Sequence, residues 1–528
     1  MWNELLMTTL AASTAGALIN PAARNFMLGS VEHDWLAGEL DLDQIEPDNH
    51  TVHLKSGAIF RAFKLQGVSY DAKERIEQDA MLKVRSSLFH YIGELGCSIR
   101  VFGIKRLRDI SFDAEWPSKT LKEIGDAERS LFQSSYYIDW YLLVSSSSVS
   151  SVIEADKKIM SMLGDYKPER LERPKDKNAV CPLTGFMNFL VCGELRNDLL
   201  AVSENISGNI PGSDLGIDNE SGIIKTFTPT CKLSQVIAIR TWPEVVNGKI
   251  LSDILTIPGE LEVSQICVPW DRDAAKTLLG RKENEQRNRF FGNSTLANEC
   301  KATRQLLSEG NTTLFHTQLQ IIVRAANQEE LNSIIHKVCD ILGRLRIAHN
   351  VETAGAPVCW FNRLPTGVGK INGASGLLRP LTLRNDNIAA LWSFQHSPVG
   401  MTSSPYGDLP IRNFLTPSGQ AYAFQFHVKA KKTSIGNYLV FAPSDGGKST
   451  LILHLLGGLA KFAGVRSYIF DSKEGARFMV ETMGGIYQGY NELQLNPLDV
   501  GIDTPKNRHR IDLILRALAA DATPGEDD

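Results

Sequence analysis

The sequence predicts a multidomain protein of the α/β and α+β classes, with a mixed α/β N-terminal region leading into a phosphate-binding-loop (P-loop) domain. Three observations carry this. The chain has 528 residues, more than one hydrophobic core supports. Apolar runs of strand length alternate with segments of helical spacing between residues 50 and 360, the pattern of layered α/β folds. From Gly436 onward a short apolar run, a glycine-containing loop ending in Gly-Lys-Ser and an apolar helix follow one another, the order of a strand–loop–helix phosphate site. The expected divisions are 1–30, a packed or membrane-peripheral helix; 31–205 and 206–380, two α/β subdomains; and 381–528, the opening part of the P-loop domain.

Composition narrows the function classes. Lysine plus arginine (56) nearly balances aspartate plus glutamate (60), so no global basic field exists to hold nucleic acid. Eight cysteines form no CxxC pair, which argues against a zinc knuckle or a compact disulfide framework and for a reducing compartment. The eleven histidines include no HExxH motif. Leu5 to Ala23 carries no charge, but Thr8, Thr9, Ser13, Thr14, Asn20 and Pro21 dilute it and Glu4 replaces a basic flank. A helix lying on a membrane or on a partner is favoured there over a spanning one.

The elements follow in order. Thr51–Lys55 and Ala58–Leu65 around Ser56-Gly57 predict a hairpin. Asp71–Leu95 predicts a helix burying Ile76, Ala80, Val84, Leu88 and Ile92. Cys97–Ile104 is strand-like, 117–133 helical, and Tyr136–Val144 a core strand rather than a base-stacking surface. A helix begins near Ser148, Pro168–Pro182 marks a joint, and Thr184–Leu200 has helical character. Val236–Arg240 and Leu261–Val268 predict strands, and Asp271–Glu309 predicts charged helix with a solvated face. Thr317–Arg324, Asn327–Leu345 and Arg346–Glu352 predict strand, helix and strand.

The loop itself reads Phe441-Ala442-Pro443-Ser444-Asp445-Gly446-Gly447-Lys448-Ser449-Thr450, after the strand-like Tyr438–Phe441 and before the apolar Leu451–Leu456. Gly446 and Gly447 allow backbone N–H groups to converge as a nest for phosphate oxygens, and the helix N-terminus adds its positive dipole end. Lys448 is placed for the β- and γ-phosphates of ATP, and the Ser449 hydroxyl for a Mg²⁺ ion, with Ser444, Asp445 and Thr450 completing the cradle. Ala442 stands where a glycine is commonest, and positive φ there would cost about 1 kcal/mol. Gly457-Gly458 suits close packing. Val465–Phe470 predicts a second strand, ending at Asp471 beside the nucleotide.

An ordered series around the loop resembles one family, the CagE/TrbE/VirB ATPases of type IV secretion and conjugation systems. Ahead of the loop it comprises Asn387–Leu391, Ser404–Ile411, Thr416–Gly419, Phe424–His427 and Gly436-Asn437; after it come Phe470–Gly475, Met483–Tyr487 and Leu495–Leu498. The resemblance covers about 385–500 and, before 380, extends only to the general layout. It implies a truncated RecA-like P-loop domain and a cytoplasmic motor, peripheral to the bacterial inner membrane and working as a hexamer. ATP hydrolysis would power pilus assembly or transfer of DNA or protein, with other channel components as partners. It implies too that the Walker B acid and arginine finger lie beyond residue 528, so that this chain binds ATP but hydrolyses it poorly. Two alternatives stay open: a DNA-pumping ATPase of the coupling-protein or HerA/FtsK kind, and a nucleotide-binding assembly platform without turnover.

Overall fold

The computed structural model describes residues 40–521 except 71–72, 109–110, 134, 177–178, 197, 203, 211, 228–230, 244, 289–293, 366–376, 396–398, 417–419, 428–434, 444, 472–473, 490–491, 493–495, 497 and 500. The uncharged segment Leu5–Ala23 lies outside the described residues, as does Ser444 of the phosphate loop. The chain divides into two compact units that interleave along the sequence. The first comprises Met1–Ile110, Gln133–Val399 and Phe414–Tyr422; the second Ser111–Phe132, Gly400–Asn413 and Ala423–Asp528.

The first unit is built on one large sheet. Its strands are β1 (Leu42–Ile45), β2 (Val52–Leu54), β3 (Ile59–Leu65), β4 (Ser98–Arg108), β5 (Ser135–Ser146), β6 (Pro168–Arg170) and β7 (Leu215–Ile217). They continue with β8 (Ile224–Thr226), β9 (Lys232–Ile239), β10 (Glu260–Pro269), β11 (Leu314–Ala325), β12 (His349–Val351) and β13 (Leu381–Arg384). The order is β1-β2-β3-β5-β4-β10-β11-β9-β8-β7, with β6 beside β3, β12 beside β9 and β13 beside β11. The central ladders are antiparallel: Val263 of β10 faces Gly103 of β4 on one side and Ile321 of β11 on the other. One sheet therefore runs through strands from both halves of the 31–380 region.

Both faces of the sheet are covered, so its central strands are buried along most of their length, polar residues such as Glu262, Gln265 and Gln318 included. Ile138–Ser145 of β5 is buried without a break. On one face Ile99, Val101, Leu142, Val144, Val263 and Ile321 pack with the helices Arg75–Glu94, Val149–Met162, Lys249–Leu255, Gln328–Arg344 and Asn385–Leu391. On the other, Phe102, Ile104, Tyr141 and Leu143 pack with the helix Pro182–Cys192, where Tyr141 stacks on Phe186 at 4.7 Å. That helix starts with Pro182 in its first turn and stops at left-handed Gly193, short of the expected Leu200. Glu262 lies fully buried between Arg324 and Arg363, the latter at 2.8 Å. Burial pushes its carboxyl up, but the two arginines outweigh burial and hold it below the usual range.

Three expectations need correction. In the helix Arg75–Glu94 the inward face is Met81, Arg85, Leu88, Phe89 and Ile92, while Ile76 is 80% exposed. The register is set by Arg85, which donates to the Tyr70 hydroxyl (2.8 Å), the Ala389 carbonyl (3.1 Å) and the Tyr166 hydroxyl. A buried, fully engaged arginine is invisible to a hydrophobicity pattern. In the second unit, Tyr438–Phe441 and Val465–Phe470 stand in no ladder among the described residues. Leu439, Phe441 and Phe470 are 83%, 87% and 99% exposed. Apolar composition makes a segment strand-prone, but only a neighbouring strand makes it a strand.

The second unit otherwise comprises the helices Lys119–Phe132, Lys448–Leu459, Arg477–Thr482 and Pro505–Asp521. β14 (Arg412–Leu415) pairs with β15 (Ala421–Phe424) in a separate two-stranded sheet, of which Phe414, Leu415, Ala421 and Tyr422 are counted with the first unit.

Candidate functional site

The phosphate loop is shaped by two left-handed residues, Asp445 (φ 60°) and Gly447 (φ 78°). Between them the Gly446 N–H donates to the Pro443 carbonyl at 3.1 Å, closing a turn. Ala442 is not among the positive-φ residues, so the strain expected there is absent; the chain turns later, at Asp445 and Gly447. Gly447 is the N-cap of the helix Lys448–Leu459, and no side chain caps that end. The first helical bond runs from the Leu451 N–H to the Gly447 carbonyl at 2.9 Å.

Lys448 folds back over the loop. Its Nζ donates to the carbonyls of Ala442 and Pro443, each at 2.8 Å. The ammonium is thus held at the mouth of the turn, beside a helix end whose dipole is positive. Asp445, Gly446, Gly447, Ser449 and Thr450 are exposed around it. An exposed turn with a cation at its mouth, a left-handed glycine and an uncapped helix N-terminus fits a phosphate group. The Ser449 hydroxyl, in the first helical turn, suits one ligand of a metal ion. Among the described residues no cluster of three His, Cys, Asp or Glu side chains could hold a metal by itself.

Asp471 is exposed, and its Oδ2 accepts the Ala476 N–H at 2.7 Å, ahead of the helix Arg477–Thr482. Its carboxylate is engaged with backbone in this structure.

Behind the loop lies a cluster that sequence reasoning missed. Arg412 is fully buried; its Nε donates to the His454 carbonyl at 3.0 Å and its Nη1 to Glu128 at 2.7 Å. The other Glu128 oxygen accepts the Asn413 N–H at 2.7 Å, and the Arg412 guanidinium lies 5.1 Å from the Trp116 ring centre. Lys461 donates to the Ile411 carbonyl at 2.9 Å and sits over the rings of Phe112 (4.1 Å) and Trp116 (5.2 Å). Burial pushes its ammonium down to about 7, with Glu128 opposing and Arg412 adding to the shift. No local pattern announces a pair separated by 284 residues.

Comparison with known proteins now bears on this geometry. The model of the CagE, TrbE, VirB family, component of type IV transporter system, matches residues 170–369, all within the first unit. The type IV secretion system protein virB4 of Bartonella quintana is 25% identical over 249 residues, 47% of this chain and 30% of that protein. Protein virB4 of Agrobacterium tumefaciens is 22% identical over 261 residues, 48% of this chain and 31% of its own length. The type IV secretion system protein PtlC of Bordetella pertussis is 31% identical over 138 residues, 22% of this chain and 16% of PtlC. The chain thus spans about a third or less of the length of the curated relatives it matches. The resemblance drawn from residues near the loop and the family match in the first unit agree. No helix among the described residues is long and apolar enough to cross a membrane.

Proposed function

Taking the chain as a relative of the CagE, TrbE, VirB family, we propose that it binds ATP with Mg²⁺ as a motor subunit of a type IV secretion system. The observation that carries the reading is the Lys448 ammonium held over the mouth of a left-handed turn at an uncapped helix N-terminus. In this reading the backbone N–H groups at Gly446 and Gly447 and the Lys448 side chain hold the phosphates. Ser449 supplies one Mg²⁺ ligand, and Ser444, Asp445 and Thr450 complete the rim. The bound nucleotide would supply the phosphoanhydride whose hydrolysis drives work; the chain's residues bind and orient it. We further propose that the second unit is the opening part of a RecA-like P-loop domain. The motor would work as a hexamer on the cytoplasmic face of the inner membrane, with other secretion subunits as partners and DNA or protein as cargo.

The test is ATP-analogue affinity of the native protein and of Lys448→Ala, with thermal unfolding of both. Hydrogen bonds to charged groups contribute about 1.5–3 kcal/mol, so affinity should fall roughly ten- to a hundredfold at unchanged unfolding temperature. Unchanged affinity rejects the reading.

A second reading, binding with little turnover, draws support from Asp471, one of whose carboxylate oxygens is already taken by the Ala476 N–H. Phosphate release slower than about 1 s⁻¹, below ordinary enzyme rates, is the outcome this reading expects.

A further inference from the structure

The second unit takes in a stretch of chain that sequence order places between β4 and β5: Ser111–Phe132. We infer that this insert is energetically coupled to nucleotide occupancy of the phosphate loop, with Arg412 as the positioning residue that joins them; the inference rests on the nucleotide reading above.

Arg412 holds two helices at once. Its Nε takes the His454 carbonyl on the helix Lys448–Leu459, and its Nη1 takes Glu128 on the helix Lys119–Phe132. His454 lies six residues beyond Lys448 on the same helix, about 9 Å along the axis at 1.5 Å per residue. The phosphate-loop lysine and the carbonyl that Arg412 holds therefore move as one rigid element.

The packing leaves little slack. A Cβ on Gly457 would lie 3.4 Å from both Leu121 and the Arg412 Nη2, and one on Gly458 would collide with the Ile411 carbonyl and sit 2.9 Å from the Arg412 Nε. Any shift of this helix when Lys448 leaves the Ala442 and Pro443 carbonyls for a phosphate must be taken up by Arg412, and through it by Glu128. The Arg412 Nη2 is buried with no hydrogen-bond partner, so the guanidinium holds a donor in reserve for a displaced carbonyl. A contiguous polar network with a second arrangement within reach is the physical form such coupling takes.

The experiment is hydrogen exchange of the 528-residue protein with and without a non-hydrolysable ATP analogue and Mg²⁺, alongside a direct binding isotherm. Peptides covering 119–132 should exchange about fivefold more slowly with nucleotide bound, the lower end of ordinary coupling. Replacing the pair together, Arg412→Met with Glu128→Leu, removes both partners at once and leaves neither charge of the pair without the other. That variant should still bind nucleotide, more weakly by about the same factor through reciprocity, and should lose the response at 119–132. Binding with no change at 119–132 in the native protein, or an intact response in the double variant, overturns the inference. Absence of binding in the isotherm overturns the nucleotide reading and this inference with it. Should the double variant lose its cooperative unfolding, Arg412→Lys serves instead. Lysine carries the charge but cannot span both partners, so an undiminished response with it counts equally against the inference.

Discussion

Two glycines of the second unit separate conformational cost from steric cost. Gly447 adopts φ 78°, and a Cβ there would meet nothing within 4 Å, so Gly447→Ala is opposed by backbone strain alone, about 1 kcal/mol. Gly458 is buried, and its Cβ would run into the Ile411 carbonyl. Gly458→Ala should therefore lower the unfolding temperature of this unit well below that of Gly447→Ala, while Gly447→Ala distorts the loop directly and weakens ATP-analogue binding the more of the two. Thermal unfolding and a binding isotherm on both variants check the split. Lys461 gives a pH signature. Its ammonium is pushed from 10.5 down to about 7 in the folded state. Between those values the unfolded chain holds the extra proton, so stability rises with pH across that window and is lowest, and flat, below it. The groups facing it are Glu128, Arg412 and His454, whose imidazole is lowered, first by burial. Unfolding measured from pH 7 to 9 should show this rise, and Lys461→Met should remove it and raise stability at pH 7. Of these residues, the loop glycines and Lys448 stand out in the sequence because their pattern is contiguous. Arg412, Glu128 and Lys461 were not, because each acts through partners distant in sequence.

Among the elements, strands and helices of the first unit were legible where burial follows chemistry. Val236–Arg240, Leu261–Val268 and Thr317–Arg324 are strand-like runs that fall within β9, β10 and β11, apart from Arg240 just past β9. The helix Arg75–Glu94 was legible as a helix but not in its register, because Arg85 takes an inward position that apolar spacing assigns to other residues. Tyr438–Phe441 and Val465–Phe470 mark the opposite limit: strand-prone sequence, with no ladder among the described residues. Their exposure carries a prediction. Phe470 is 99% and Phe441 87% exposed, so in this chain each large ring is left in water with almost nothing packed against it. Phe441→Lys and Phe470→Lys should each change stability by no more than about 0.5 kcal/mol, as at ordinary surface positions, and should reduce self-association, since unpaired apolar strands template contact between chains. Chemical denaturation together with light scattering tests this. A loss of several kcal/mol would show that both segments are packed in solution.

On the scale of the whole molecule, sequence showed that more than one core must exist but not how the chain is apportioned. The helix Lys119–Phe132 is separated from the phosphate loop by more than three hundred residues, yet it folds in the same unit. The family match at 170–369 falls in one unit and the phosphate loop in the other. Each unit has its own buried ion pairing, Glu262 with Arg324 and Arg363 in the first and Glu128 with Arg412 in the second. The two cores should therefore answer to different perturbations. Glu262→Leu strips the counter-charge from two buried arginines, a loss of about 3–5 kcal/mol for a broken buried pair, and should lower the unfolding transition of the first unit while ATP-analogue affinity stays constant. Nucleotide acts on the other core: at a hundred times Kd, a ligand bound only by the folded site adds about 2.7 kcal/mol, which should appear in the transition of the unit containing Lys448. Calorimetry of the native protein, Glu262→Leu and Lys448→Ala, each with and without analogue, separates these effects. The nucleotide shift should persist in Glu262→Leu and, at the same analogue concentration, shrink to about 0.4–1.4 kcal/mol in Lys448→Ala, whose affinity is ten- to a hundredfold weaker. A single transition that moves as a whole under either perturbation would mean that the two cores unfold as one.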